Sequence, residues 1–184
     1  MKRKDFLNSA CLLGFCSCVG MPFFSGSKLL AAQLDDKKKE EDPRIPFMQS
    51  RFGKLWDIVE SKVGPEKKEE IIESLGRECA KANKNFYMKY KDNIDGYFKE
   101  ITSRWMETAE YNKEEGKIKL VGKKNESCGC PLVNKAFINK DFCKCSLGYQ
   151  KETYEVILGK PVKSTIVESI LYGNERCSFL IKVG

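Results

Sequence analysis

The chain has 184 residues, 41% hydrophobic and 32% charged, which makes one domain or at most two, too apolar for a disordered chain and too charged for a multi-span membrane protein. Its net charge of +7 falls to +4 when the first 32 residues, with four Lys/Arg and Asp5, are set aside to leave 29 basic against 25 acidic residues, a solubility charge that does not argue for nucleic acid. Histidine is absent, which excludes His acid–base catalysis, Ser–His or Cys–His nucleophile pairs and imidazole metal sites, while nine cysteines focus the functional question on thiols.

The first 32 residues follow the order of a secretory signal: a basic start through Lys4, an apolar stretch from Phe6 to Phe24, then small residues up to Ala31 and Ala32. The dense apolar part, Ala10 to Val19, is too short to span a bilayer. Arg3-Lys4-Asp5-Phe6-Leu7-Asn8 resembles the twin-arginine export motif, with Lys for the second Arg and Asn for the final Lys. An exported, periplasmic or extracytoplasmic protein is expected, cleaved after Ala32 or lipid-anchored at Cys18, with contact to the membrane only through that segment. Residues 33–45 form a charged linker, Asp35 to Asp42 closed by Pro43 and Pro46, and a single domain is expected over 46–184.

Within that domain Met48, Phe52, Leu55, Trp56, Val59 and Val63 recur at helical spacing over 46–63, ended by Gly64. Pro65 opens a second helix, with Ile71, Ile72, Leu75, Cys79 and Ala82 as its apolar face, so Cys79 is expected to point inward. A third helix carries Ile94, Tyr97, Phe98, Ile101 and Trp105; its aromatics, with Phe86, Tyr87 and Tyr90, read first as core and second as a ligand pocket. Thr108–Asn112 and Lys117–Gly122 flank a hairpin turn with Gly116, and residues 123–141 form a loop. Asp141 is the expected N-cap of a helix from Phe142 to Leu158 stopped by Gly159. Val162–Leu171 and Cys177–Val183 form a second hairpin. The order α-α-α-β-β-α-β-β defines an α+β fold with a small antiparallel sheet and one packed helix.

Six cysteines follow the signal: Cys79, Cys128, Cys130, Cys143, Cys145 and Cys177. Four of them form two C-x-C pairs, a thiol set that suits zinc or an iron–sulfur cluster. Disulfides between segments also suit an exported chain, and a redox or nucleophilic role suits Cys143 at a helix start, where the dipole favours thiolate. No dinucleotide fingerprint and no basic-aromatic nucleic-acid patch is present.

The C-terminal segments Cys145-Ser146-Leu147-Gly148-Tyr149, Leu158-Gly159-Lys160-Pro161-Val162, Val167-Glu168 and Tyr172-Gly173-Asn174-Glu175-Arg176-Cys177-Ser178-Phe179 resemble the 4-vinyl reductase-like domain, and also the L-2-amino-thiazoline-4-carboxylic acid hydrolase-like bacterial proteins. That resemblance implies an α+β small-molecule-binding domain, in some members with a structural zinc at positions matching Cys145, Glu168 and Cys177. A further family cysteine is Leu171 here, which leaves Cys143, Cys128 or Cys130 to complete the set. The expected function is binding of a small molecule or metal through the cysteine-rich half. The alternatives are a hydrolase-like enzyme with a cysteine nucleophile and a disulfide-braced interaction module.

Overall fold

Two glycines set a close approach between two helices. The computed structural model describes residues 42–184, so the N-terminal stretch expected to direct export, most of the expected linker and Cys16 and Cys18 lie outside the described residues. Helix α1 (Arg44–Lys62) is followed by α2 (Pro65–Lys81), a short α3 (Lys84–Met88) and α4 (Ile94–Arg104). Strands β1 (Met106–Asn112) and β2 (Lys117–Gly122) form a hairpin, α5 (Cys145–Leu158) follows a long loop, and β3 (Val162–Glu168) and β4 (Ser178–Val183) close the sheet. A Cβ on Gly76 of α2 would stand 1.8 Å from the Cys145 carbonyl oxygen, and one on Gly148 of α5 would stand 1.9 Å from that of Glu73. Only glycine lets these two helices approach so closely.

This α+β architecture is the expected one, with the additional helix α3. The sheet is antiparallel throughout, in the order β1-β2-β4-β3. Its inner face carries Ile118, Leu120, Phe179 and Ile181, buried in one core with Tyr97, Phe98 and Ile101 of α4 and Tyr154 and Ile157 of α5. Phe86, Tyr87, Tyr90, Tyr97 and Tyr154 meet largely edge-on, with Tyr97 at 5.6 to 6.4 Å from each of the other four. Such contacts add packing energy beyond the buried area, and they place these aromatics in the core. Gly116 (φ 62°) turns the first hairpin and Gly159 (φ 65°) ends α5 in the left-handed conformation that glycine adopts without penalty.

A smaller core joins Trp56 of α1 and Ile72 of α2 to Val133, Ile138 and Phe142. Phe142 meets Phe52 at 5.3 Å and Trp56 at 5.7 Å, both edge-on. The seat of α1 is turned from the one its periodicity predicts. Gly53 is buried, where a Cβ would stand 2.4 Å from the Phe137 carbonyl oxygen, while Met48 and Leu55 face solvent. Helix α2 is turned likewise: Ile72, Gly76 and Ala80 are buried and Cys79 is exposed, because the glycine contact with α5 sets the rotation.

Between β2 and α5 the expected helix start is different. Residues Lys140–Lys144 form a 3-10 turn, capped by Asn139, whose side chain accepts from the Asp141 amide at 3.0 Å. The Asp141 carboxylate accepts instead from Lys68 at 3.3 Å. The second hairpin is also interrupted. After β3 comes a 3-10 turn, Ile170–Tyr172, capped by Ser169, and a shift in register between Ile166 and Glu168 sets Glu168 opposite Ser178.

Across the α2–α5 contact Arg77 donates to Glu155 at 2.7 and 3.3 Å and to Glu152 at 3.1 Å. Burial alone would raise the Glu155 carboxyl, but Arg77 and the Val162 amide hold it below the ordinary glutamate value. A carboxyl lowered by folding stabilises fully above its unfolded pKa of about 4.3, and the contribution is lost as pH falls through the lowered folded value. Arg77→Met is therefore expected to flatten the acid limb of a urea-unfolding stability profile by about 1 kcal/mol, a modest figure because the pair is partly solvated. Parallel limbs for variant and wild type would refute this.

Candidate functional site

The loop from Lys123 to Asn139 is fixed at several points by its backbone and amides. The Asn125 amide donates to the Glu175 carbonyl at 3.0 Å, and the Val133 amide closes a turn on the Cys130 carbonyl at 3.1 Å. Gln49 of α1 donates to the Pro131 carbonyl at 2.9 Å and accepts from Asn134 at 3.2 Å, and Asn139 donates to Glu60 at 2.7 Å. With Val133 and Ile138 buried against Trp56, the loop is clamped to α1, and it carries Cys128 and Cys130 with it.

All six cysteines of the described residues are free thiols. Cys128, Cys130 and Cys145 lean on the smaller core beside Leu171, whereas Cys177 packs against the main core. Cys143 is buried in the 3-10 turn, and its Sγ lies 2.8 Å from the Ser169 hydroxyl. Ser169 also accepts from the Leu171 amide at 3.1 Å, so the same oxygen caps the turn and meets the thiol. Glu168 accepts from the Ser178 hydroxyl at 2.6 Å. Cys177 sits one residue before Ser178, and alternation along the strand turns their side chains to opposite sides of the sheet.

Burial pushes the Cys145 thiol up to about 12, with Cys79, Cys130, Cys143 and Cys128 adding to the shift. Burial likewise raises Cys128, whose sulfur is reached by charge on Cys130 and Cys177, and Cys143, reached by Cys177 and Cys128. Partial desolvation raises Cys79, with Cys130 and Glu78 adding to the shift. Desolvation thus keeps the Cys128, Cys143 and Cys145 thiols protonated. This corrects the expectation of a Cys143 thiolate: the residue lies in the 3-10 turn ahead of α5, and desolvation outweighs any dipole there.

The zinc or iron–sulfur expectation for Cys128, Cys130, Cys143, Cys145, Glu168 and Cys177 meets a specific geometry. Among the described residues no three His, Cys, Asp or Glu side chains are grouped so that they could hold a metal ion. The Glu168 carboxylate accepts from Ser178, and Leu171 packs against the smaller core. As arranged, these residues do not fit a ready four-ligand site.

Beside the thiols is a cavity of about 440 Å³, walled by Ile45, Gln49, Cys128, Cys130, Val133 and Asn134, a size within the range of small-molecule sites. It continues past Glu126 and Lys135 into a second cleft of about 380 Å³ that reaches Asn174 and Glu175. Sequence reasoning missed Gln49, Asn134 and Ser169. Of these, only Ser169 left a signal, a serine ahead of a short apolar run closed by Gly173, which is an N-cap pattern.

No family model and no curated protein matches the sequence. Solved structures resemble it to differing degrees. The phenol-responsive sensory domain of the transcription activator PoxR, solved with phenol, matches at 13% identity over 73% of this chain and 74% of its own, with a TM-score of 0.50, which shows a common fold. Two looser likenesses are a trafficking protein particle complex subunit 3 from Naegleria fowleri covalently bound to palmitic acid (12% identity, 77% and 95% of the two chains, TM-score 0.49) and a vinyl-4-reductase family protein from Methanocaldococcus jannaschii (18%, 90% and 99%, TM-score 0.36). No helix of the described residues is long and apolar enough to cross a membrane.

Proposed function

We propose that this protein is a small-molecule-binding domain whose ligand occupies the cavity between α1 and the Cys128–Asn134 loop. The carrying observation is the cavity itself, about 440 Å³ with apolar walls from Ile45 and Val133, two amides and two thiols. Polar groups, among them the Gln49 and Asn134 amides and Ser127, make up somewhat more of the wall than apolar ones and give a ligand its orientation, and the sulfurs add soft, polarisable contact. The fold shared with a phenol-responsive domain supports the reading, since that fold accommodates a small molecule. The N-terminal segment supports an exported, periplasmic or lipid-anchored location. Raised thiol pKa values argue against a resting cysteine nucleophile. The test is binding of the amphipathic, anionic dye anilinonaphthalene sulfonate to the folded full chain. Asn134→Trp, which fills the cavity from its rim, is expected to weaken binding at least about tenfold, the loss that follows from blocking a pocket of this size. Unchanged affinity would sink the proposal.

A second reading, a soft metal held by the same cysteines with Glu168, is favoured only by the convergence of thiols from separate segments. It requires side chains to re-aim. Metal analysis of the purified full chain decides it: if neither zinc nor iron is retained, or taken up on dialysis, this reading ends.

A further inference from the structure

We propose that the sheet face turned away from the main core docks on an anionic phospholipid surface. The alternation that buries Ile118 and Ile181 turns their neighbours outward. Lys117 of β2 is opposite Lys182 of β4, and Lys182 is opposite Lys163 of β3, so three lysines form one row across three adjacent strands. Directly opposed residues have Cβ atoms about 5 Å apart, and like charges placed so are destabilising. Lys119 stands in the next row, between Glu110 and Leu180.

The row is not neutralised from within. Lys117 pairs with Glu115 at 2.6 Å, but among the described residues no carboxylate pairs with Lys119, Lys163 or Lys182. Between and beyond the lysines lie aliphatic side chains, the half-buried Leu180 and Val121 and the 60% exposed Val167. At the end of the row a hollow of about 280 Å³ is lined by Pro161, Val162, Lys163, Lys182, Val183 and Gly184, room enough for a lipid headgroup phosphate.

The chemistry selects among anionic partners. The two rows hold lysine and no arginine, and so offer point charges on flexible stems rather than the planar fork that reads a carboxylate or phosphate bidentately. No aromatic ring stands in those rows to stack a nucleic-acid base. A sheet face with lysines and aliphatic residues matches a laterally adaptable plane of charge, which is what an anionic bilayer presents.

The experiment is co-sedimentation of the full chain with vesicles of phosphatidylcholine alone and of phosphatidylcholine mixed with phosphatidylglycerol, at low and high salt. Binding is expected to increase with phosphatidylglycerol and to fall with salt. The triple variant Lys117→Gln, Lys163→Gln, Lys182→Gln is expected to lose about fivefold per lysine, on the order of a hundredfold, from the phosphatidylglycerol-dependent part. The basic N-terminal segment contributes equally in both proteins, so the difference between them reports the three lysines. The triple variant stays folded, since it removes repulsion, and Lys182→Glu alone should show a smaller loss in the same direction. Equal phosphatidylglycerol dependence in wild type and triple variant would overturn the proposal. So would a triple variant that keeps vesicle binding but loses affinity for duplex DNA or for an acidic peptide.

Discussion

Gly148→Ala is expected to destabilise the protein by about 3 kcal/mol or more, read as a lowered urea midpoint with an unchanged slope. In an ordinary helix interior the same change stabilises by about 1 kcal/mol, because alanine is the better helix former. Here the new methyl would stand 1.9 Å from the Glu73 carbonyl oxygen, 2.8 Å from its carbon and 3.1 Å from the Arg77 nitrogen. All three atoms are backbone of α2, so no side chain can swing aside. The helices must separate, and with them the Arg77 ion pairs and the Gly76 contact on Cys145. Gly129→Ala, with nothing within 4 Å of the added carbon, is the control and should be near neutral. A neutral or stabilising Gly148→Ala would show that the helices do not pack through this glycine pair.

Phe142→Ala comes next, with an expected loss of about 3 to 5 kcal/mol, the range for truncating a fully buried phenylalanine. Phe142 is 2% exposed and holds edge contacts with Phe52 and Trp56, so its loss opens a cavity at the seat of α1. The effect should be visible locally. Trp56 is buried and Trp105 is 44% exposed, so a red shift of the buried component of fluorescence marks loosening of α1. Phe137→Ala, at an exposed ring nearby, should leave both stability and emission unchanged. An equally small effect at Phe142 would mean that α1 is held mainly by its amide contacts.

Much of the fold was legible because local signals and tertiary packing agree. Pro65 at the first position of α2, Gly116 in the hairpin and Gly159 at the end of α5 each do in the structure what their chemistry dictates. The rotation of α2 was not legible, since apolar periodicity counts Cys79 as a hydrophobe and Gly76 as nothing. Backbone contact at the glycine decided it. Helix α1 shows the same limit: Met48 and Leu55 fit the apolar pattern as well as Phe52 and Trp56 do, and only the approach of Phe137 to Gly53 selects the buried face.

The thiol cluster was partly legible. The spacing singles out Cys128, Cys130, Cys143 and Cys145, and three of these lie on the same apolar cluster. The pairing of Glu168 with Ser178 follows from a register shift that no spacing announces. Protonation was hidden for a different reason. A helix start predicts a lowered thiol pKa, but whether desolvation outweighs it depends on what covers the sulfur, and Cys143 is covered.

The glycine contact between α2 and α5 has a kinetic consequence. These helices are separated in sequence by α3, α4, the first hairpin and the whole cysteine loop, so their docking closes one of the longest loops in the domain. The first hairpin closes across four residues and α4 forms from its own sequence; long-range closure loses chain entropy before any contact rewards it. Formation of the helix pair thus falls late on the folding path, after the local hairpin and helices have condensed. Destabilisation at Gly148 should then appear chiefly as faster unfolding, with the folding arm of the chevron almost unmoved.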